Sequence, residues 1–424
     1  MICFFYLRRH VIALKNIREQ IPLLWSKIRA KKPAEILKLI CVNFFGLWIV
    51  FILYLIKPFK TVKLLEIRSR AIGQQAGNTG LFLRRLQRES EETKHKVLYV
   101  GISGKPDNKQ LLKMFKRKFP IIESDLLARI CGDGAFLIRW TGFYQDLPFH
   151  ANEFEFDDTE PGLKFTPQEE TEGRMLLNKM GIDEASWFVC FHNRDPAFPY
   201  SYVGDYRNCN IHNYLEAAKY ITSCGGFALR MGHTVSGKLP DSNNTRIIDY
   251  ASEFRTDFGD IFLSAKCKFF LGSSAGLVVV PAIFNVPIAA ANFIPFGTTW
   301  RTGDLFIPMK IWSVEERRLL SFREYIEFAG DIRGGDIREG VDSNIFAHYR
   351  IAGGKYIVIE NTAEEILDLA MEMNERLDGT YKTTEEDEEL QQIFQSLLHP
   401  DDFFYGTPAR IGAKFLRQNK ALLM

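Results

Sequence analysis

The alternation of short apolar runs with helix-like segments between residues 187 and 291 constrains the fold of this 424-residue chain most strongly. The apolar runs have the length of buried strands, and the segments between the runs carry apolar residues at helical spacing. Strands that alternate with helices form a parallel sheet with helices on both faces. The expected strands are 187–191, 227–230, 246–248, 268–271 and 287–291, and the expected helices are 172–180, 261–265, 277–284 and one between Asn210 and Gly225.

A second α/β region precedes this one. Residues 61–67 and 96–100 are predicted strands, and residues 108–118 a helix with apolar residues on one face. A polar stretch at 152–172 is expected to be an exposed region between domains. Near the C-terminus, Thr362 and Glu365 have the spacing of a capping box at a helix start. The predicted division is 1–60, 61–171, 172–375 and a helical tail at 376–424.

An uncharged apolar run occupies residues 39–56 and is bracketed by Lys38 and Lys57. As a helix it would be about 27 Å long, close to the ~30 Å hydrocarbon core of a bilayer. Basic residues are concentrated in the first 70 residues, as expected beside a membrane. We therefore predict a membrane-associated helical segment that either spans the bilayer or inserts shallowly. The alternative is a buried core helix.

Composition and missing motifs exclude several functions. A net charge of only +2 gives no indication of nucleic-acid binding. None of the seven cysteines form a C-x-x-C pair, so we expect free thiols in a reducing compartment. The chain has no H-E-x-x-H, Walker A, G-x-G-x-x-G or D-x-D motif. Neither a cofactor nor a metal is therefore predicted.

The turn Gly272-Ser273-Ser274-Ala275-Gly276 is the strongest local indication of a binding site, because it joins a predicted strand to a predicted helix. Small residues there let a diphosphate approach the backbone, and the hydroxyl groups of Ser273 and Ser274 are potential donors. The alternative is a tight turn whose small residues only set its shape. Ligands of open α/β sheets bind at the carboxyl ends of strands, which favours a site.

Other polar residues follow neighbouring predicted strands. An arginine at this edge of the sheet can neutralise a leaving diphosphate, which makes Arg194 and Arg230 candidates. Asp249 and Asn292 are placed to contact a nucleoside, and acid/base groups follow the first strand. The full set of candidates is His192 and Asp195 for catalysis, with Arg194, Arg230, Asp249, Ser273, Ser274, Gly276 and Asn292 for a nucleotide-sugar donor.

From about residue 61 to the C-terminus, the chain resembles a family of bacterial glycosyltransferases found with surface-polysaccharide genes. The segments that carry the resemblance are Arg70-Ala71-Ile72-Gly73, Tyr206-Arg207-Asn208, Asn213-Tyr214, Arg230-Met231-Gly232, Asp249-Tyr250-Ala251, Asp260-Ile261-Phe262-Leu263, Cys267-Lys268-Phe269-Phe270, Gly272-Ser273-Ser274-Ala275-Gly276, Ile359-Glu360-Asn361-Thr362 and Phe415-Leu416-Arg417. More distantly, 192–195 and the serine turn are similar to the donor half of fucosyltransferases of GT-B type. Asn193 stands where that motif has one of two arginines, and Gln74 where many relatives have a histidine.

The resemblance implies an α/β, GT-B-like fold, with two Rossmann-like domains that face a cleft. It implies metal-independent transfer of a hexose or deoxyhexose from a nucleoside-diphosphate sugar to a lipid-linked glycan or lipopolysaccharide acceptor. Residues 61–171 would bind the acceptor through Arg70 and Gly73, and residues 172–375 would bind the donor. The expected location is the cytoplasmic side of the bacterial inner membrane. A sugar-nucleotide epimerase and a non-catalytic assembly scaffold remain alternatives.

Overall fold

The computed structural model describes residues 33–69, 71–132, 138–139, 141–148, 155–197, 206–240, 243–294, 301–327, 354–400 and 405–424, with backbone only for 33–39. The chain divides into two compact units that are interleaved in sequence. Unit 1 comprises 1–66, 90–105 and 119–146, and unit 2 comprises 67–89, 106–118 and 147–424. The domain boundaries predicted from sequence stay predictions.

Helices in the described residues are α1 (Pro33–Ile56), α2 (Ile72–Gln87), α3 (Glu91–Lys96), α4 (Lys109–Lys116), α5 (Asp125–Cys131), α6 (Pro167–Lys179), α7 (Leu215–Ser223), α8 (Tyr250–Glu253), α9 (Asp257–Lys266), α10 (Val279–Ile283), α11 (Ala363–Leu377), α12 (Glu385–Ser396) and α13 (Ala413–Gln418). Strands are β1 (Thr61–Ile67), β2 (Val97–Ser103), β3 (Ile121–Glu123), β4 (Phe188–Phe191), β5 (Phe227–Arg230), β6 (Ile247–Ile248), β7 (Phe270–Gly272), β8 (Ile288–Phe293), β9 (Leu305–Pro308), β10 (Lys310–Ser313), β11 (Arg318–Leu319), β12 (Tyr356–Ile359) and β13 (Arg410–Ile411).

Unit 1 is a three-stranded sheet in the order β1-β2-β3, with β2 and β3 parallel. Its hydrophobic core joins the sheet to helices α1 and α5. Val50 and Leu53 of α1 pack there with Val62 and Leu64 of β1 and with Ile130 of α5. The strand predicted at 61–67 is confirmed, and the strand predicted at 96–100 is present as the longer β2, Val97–Ser103.

Helix α1 contains the predicted membrane segment 39–56. One side of the helix is buried in the core of unit 1, and the remaining apolar side chains are exposed. The most exposed of them are Ile40, Phe44, Phe45, Leu47, Trp48, Phe51, Ile52, Tyr54 and Leu55. Within the described ranges, no helix combines the length and the apolar character needed to cross a membrane.

Unit 2 is built on a seven-stranded sheet in the order β13-β9-β8-β7-β4-β5-β6, in which every neighbouring pair is parallel. The parallel sheet predicted from the alternation is thus confirmed. The central strands β4 and β8 are buried along their whole length, as expected for strands covered on both faces. A small antiparallel sheet in the order β11-β10-β12 was not predicted.

Helices α2 and α4 also belong to unit 2. The face of α2 that carries Gly80 lies against Ile283 of α10, so closely that a Cβ at Gly80 would be 2.6 Å from the Ile283 side chain. Helix α4 is capped at its N-terminus by Asn108, whose side chain accepts a hydrogen bond from the amide of Leu111 and donates one to the carbonyl of Asp257 (2.9 Å). Helix α2 is thus packed against α10, and the start of α4 is joined to the start of α9.

The polar stretch 152–172 is only in part the exposed region that we expected. In its described part, Glu155 and Thr159 are buried. Glu155 forms an ion pair with Arg85 (2.8 Å), and Arg84 donates to the hydroxyl of Thr159 (2.9 Å). Two arginines from α2 therefore satisfy polar groups that look solvent-exposed in the sequence.

Candidate functional site

The order of the strands in the large sheet reverses between β4 and β7. From β4 the chain proceeds to β5 and β6 on one side of the sheet, and then returns to place β7, β8 and β9 on the other side. Strands β4 and β7 are paired in parallel through Phe191 and Leu271. Their carboxyl ends therefore form the switch point at which open α/β sheets bind ligands. The two segments singled out in the sequence, 192–195 and 272–276, leave these two strands.

Hydrogen bonds lock the two segments together. The backbone amide of Arg194 donates to the hydroxyl of Ser273 (2.9 Å), and the amide of His192 donates to the carbonyl of Leu271 (2.9 Å). The hydroxyl of Ser274 accepts from the amide of Ile294 beyond β8 (2.7 Å). Both serines thus position the loops at the carboxyl ends of β4, β7 and β8.

Arg194 is buried at the carboxyl end of β4. Its side chain is only 8% exposed, and its backbone carbonyl accepts from the amide of Cys209 (3.1 Å). The neighbouring Asn193 is fixed as well, because its amide group donates to the carbonyl of Cys209 (2.6 Å). A guanidinium held in a low-dielectric site at a switch point interacts more strongly with an anion than a solvated one does.

Arg230 lies in a buried cluster of charges. Its guanidinium is 3.3 Å from the carboxylate of Asp249 and 3.8 Å from that of Asp195, and it donates to the carbonyl of Gly237 (2.7 Å). The three charged side chains are each less than a tenth exposed. The structure thus brings three predicted site residues together, and the contacts of Arg230 to a diphosphate and of Asp249 to a nucleoside stay predictions.

The two proposed acid/base groups have different environments. Burial alone would raise the pKa of Asp195, but hydrogen bonds from Ser236 and Ala197 and the charge of Arg230 outweigh it, so the pKa lies below its usual value. Burial lowers the pKa of His192 to about 4, against the effect of its hydrogen bond with the carbonyl of Met231 (2.9 Å). Both groups are therefore weak bases near neutral pH.

Gly73 and Gly276 are brought into backbone contact. A Cβ at Gly73 would be 2.7 Å from the Cα of Gly276, and a Cβ at Gly276 would be 3.0 Å from the amide nitrogen of Gly73. Close packing thus accounts for glycine at both positions. The other predicted acceptor-side residue, Arg70, lies outside the described residues.

The helix predicted at 277–284 is shorter and less regular than expected. A 3-10 turn occupies Gly276–Val278, and α10 covers only Val279–Ile283. So short a helix contributes little dipole. An anion at this turn would therefore depend mainly on the arginine side chain of the neighbouring loop and on backbone amides.

Asn292 has a structural partner that sequence reasoning missed. It is fully buried at φ 51°, and its side chain and backbone exchange hydrogen bonds with Asn361 (2.6 Å in each direction). Its amide group also donates to the hydroxyl of Tyr214 (3.2 Å). Asn361 belongs to one of the segments that carry the family resemblance, and this membership is the sequence feature that could have pointed to it.

Within the described part of the chain, no group of His, Cys, Asp and Glu residues could hold a metal ion.

Comparisons with known proteins return only distant structural likenesses. No protein-family profile and no curated protein matches the chain. A family 9 glycosyl transferase from Veillonella parvula matches at 9% identity and a TM-score of 0.45, over 74% of this chain and 98% of that one. The E. coli ADP-heptose LPS heptosyltransferase II matches at 13% identity and a TM-score of 0.37, over 54% of this chain and 84% of that one. Likenesses this distant carry no argument about activity, so the family resemblance stays a prediction.

Proposed function

We propose that the chain is a glycosyltransferase that moves a sugar from a nucleoside-diphosphate sugar to a lipid-linked glycan or lipopolysaccharide acceptor. One observation carries the proposal. Arg194 and the turn 272–276 were singled out separately in the sequence, and they meet at the switch point between β4 and β7, where the backbone amide of Arg194 donates to the hydroxyl of Ser273. A switch point that combines a buried guanidinium with a small-residue turn fits a diphosphate.

The chemistry follows from the leaving group. Transfer breaks the bond between the anomeric carbon and the diphosphate, which leaves with an additional negative charge. A preorganised guanidinium stabilises that charge without a metal ion. We therefore propose metal-independent transfer of a hexose or deoxyhexose, with Arg194 as the main cation at the diphosphate.

The purified full-length chain tests this function directly. It is incubated with UDP-, GDP- and ADP-sugars, with and without a lipid extract that contains lipid-linked glycan and lipopolysaccharide acceptors, in the presence of EDTA. We expect sugar transfer that requires acceptor and persists in EDTA. Isomerisation of the donor without acceptor would instead identify an epimerase. Failure to bind or consume any donor would leave the non-catalytic alternative.

The exposed side of α1 supports a proposal about location. It is uncharged and apolar from Ile40 to Ile56, which is unusual for a surface in contact with water. Lys57, Lys60 and Lys63 follow it directly, and positive charge of this kind is attracted to anionic lipids. We propose that this side of α1 lies in the bilayer at the cytoplasmic side of the inner membrane.

Removing two aromatic side chains from this surface should weaken lipid binding. Trp48 and Phe51 are each more than half exposed and form an edge-to-face pair. Full burial of a large apolar side chain stabilises by about 1.5–3 kcal/mol, and each of these two is only about half exposed, so Trp48→Ser/Phe51→Ser should lower partitioning into anionic vesicles by roughly 10- to 100-fold. Met175→Ser removes a comparably exposed apolar side chain from α6 and should have no effect. Equal binding of the two variants in vesicle co-sedimentation would refute the proposed contact.

A further inference from the structure

Strand β8 contains a β-bulge just before its carboxyl end. Between Ala290 and Phe293 its register with β9 shifts, and β8 has one residue more than β9 over this interval. Asn292 lies in the interval with φ 51°, in the left-handed region that asparagine adopts more readily than most residues. A bulge bends its strand and redirects the residues that follow. It therefore sets the path of the chain beyond β8.

The side chain of Asn361 joins β8 to β9 at this bulge. Its oxygen accepts from the backbone amide of Asn292 (2.6 Å), and its amide group donates to the carbonyl of Pro308 (2.9 Å). The backbone amide of Asn361 donates in return to the Asn292 side chain (2.6 Å). Because Asn361 is fully buried, removal of its side chain would leave backbone groups of both strands unpaired.

Asn361 is itself fixed by the segment that leads into α7. Its backbone carbonyl accepts from the side chain of Asn213 (3.3 Å). The preceding residue, Glu360, accepts from the same side chain (3.3 Å) and from the backbone amide of Asn210 (2.8 Å). The bulge is thus held by a residue that lies 69 positions further along the chain than Asn292.

The bulge leads directly to the serine turn. Ile294, two residues after Asn292, donates its backbone amide to the hydroxyl oxygen of Ser274 (2.7 Å). Ser274 is partly exposed, whereas the neighbouring Ser273 is fully buried. A hydroxyl group that accepts one hydrogen bond still has its own hydrogen to donate. The Ile294 amide therefore orients a hydrogen-bond donor that a ligand at the turn can reach.

We propose that Asn361 is a positioning residue of the nucleotide-sugar site, an inference that rests on the proposed function. Asn361 holds the bulge of β8, and the bulge places the amide of Ile294. This amide orients the Ser274 hydroxyl, which donates to the diphosphate of the donor. Asn361 acts through Ser274 and contacts neither donor nor acceptor.

A purely structural role is the competing explanation. Under both explanations Asn361→Ala should lower the Tm, since buried polar groups lose their partners. Only positioning couples Asn361 to Ser274 in ligand binding. Once Ser274→Ala has removed the hydroxyl, loss of the Asn361 side chain should have no further effect on the affinity for a diphosphate. A double-mutant cycle for diphosphate binding therefore separates the two roles.

The cycle is measured by calorimetric titration of the full-length chain with UDP, GDP and ADP, below the Tm of every variant. We expect Ser274→Ala and Asn361→Ala each to raise the diphosphate Kd by about 3- to 10-fold, the usual contribution of one hydrogen bond. The double variant should bind within about twofold of Ser274→Ala.

Asn374→Ala is the matched control. It removes another buried asparagine side chain, from α11, which accepts from the side chain of Lys268 (2.9 Å). Lys268 precedes β7, so this contact lies at the amino end of the strand that carries the serine turn at its other end. Asn374→Ala should lower the Tm and leave the diphosphate Kd unchanged.

A second variant serves if Asn361→Ala does not fold. In Asn292→Gly, glycine adopts the left-handed backbone freely but lacks the side chain that pairs with the Asn361 amide. It takes the place of Asn361→Ala in the cycle, with the same expected lack of additivity with Ser274→Ala.

Three results would contradict the proposal: a wild-type diphosphate Kd in Ser274→Ala, additive losses in the double variant, or an equal loss in Asn374→Ala. Each would leave Asn361 with a structural role alone. A wild-type chain that binds none of the three diphosphates would instead overturn the proposed function, and the inference with it.

Discussion

Arg230→Met is expected to lower the free energy of unfolding by about 3–5 kcal/mol, because it leaves two buried carboxylates without their cation. Asp195 and Asp249 are each within 4 Å of the guanidinium, and all three side chains are excluded from solvent. Methionine fills most of the volume but supplies no charge and no donor for the Gly237 carbonyl. Urea denaturation of the purified variant would measure the loss.

Two comparisons make this prediction specific. Arg246→Met changes an exposed arginine just before β6, at the amino edge of the same sheet, and should cost less than about 1 kcal/mol. Asp249→Asn added to Arg230→Met should restore part of the lost stability, because it removes one of the uncompensated charges. Equal stability of the Arg230→Met and Arg246→Met variants would show that the buried cluster does not stabilise the fold.

Arg84→Met is expected to cost about 2–4 kcal/mol, since it leaves several buried acceptors unpaired. The Arg84 side chain is fully buried and lies over the ring of Phe156, 4.3 Å from its centroid. It donates to the carbonyl and hydroxyl of Thr159 (2.7 and 2.9 Å), to the carbonyl of Ile283 (3.2 Å) and to the side chain of Asn285 (2.5 Å). One side chain thus connects α2, the 155–160 segment and the end of α10.

A matched control lies one turn further along. Arg88 follows α2 and pairs with Asp158 (3.4 Å) where both side chains are well exposed. Exposed pairs contribute little, so Arg88→Met should change the unfolding free energy by less than about 0.5 kcal/mol. If chemical denaturation gave the same small loss for both variants, the buried hydrogen bonds of Arg84 would have no net stabilising value.

Local patterns allowed much of the secondary structure to be predicted. The strand 61–67 begins and ends where it was expected, because its apolar residues Val62, Leu64, Leu65 and Ile67 lie between the charged residues Lys60 and Arg68. The capping box of Thr362 and Glu365 is confirmed, since it depends on residues only a few positions apart. Asn210, at the predicted start of a helix, caps the 3-10 turn Ile211–Tyr214 that leads into α7. The parallel sheet followed from alternation alone.

Contacts between distant residues could not be predicted in this way. The burial of Arg230 depends on Asp195 and Asp249, which are separated from it by 35 and 19 residues. The buried residues Glu155 and Thr159 of the polar stretch looked exposed because their partners, Arg85 and Arg84, lie 70 and 75 residues earlier. The order of the strands in the sheet likewise cannot be predicted from local sequence patterns. That order creates the switch point at which the backbone of Arg194 contacts Ser273.

Calorimetric titration with nucleotides tests the central claim most directly. The wild-type chain is titrated with UDP, GDP, ADP and the corresponding nucleosides, in parallel with Arg194→Met and with Arg246→Met as the control. We expect at least one diphosphate to bind. Arg194→Met should weaken that binding by roughly 10- to 100-fold, the value of a charged hydrogen bond, and leave nucleoside binding and the control unchanged. Absence of binding to every diphosphate, or equal losses for nucleoside and diphosphate, would contradict a sugar-nucleotide site at the ends of β4 and β7.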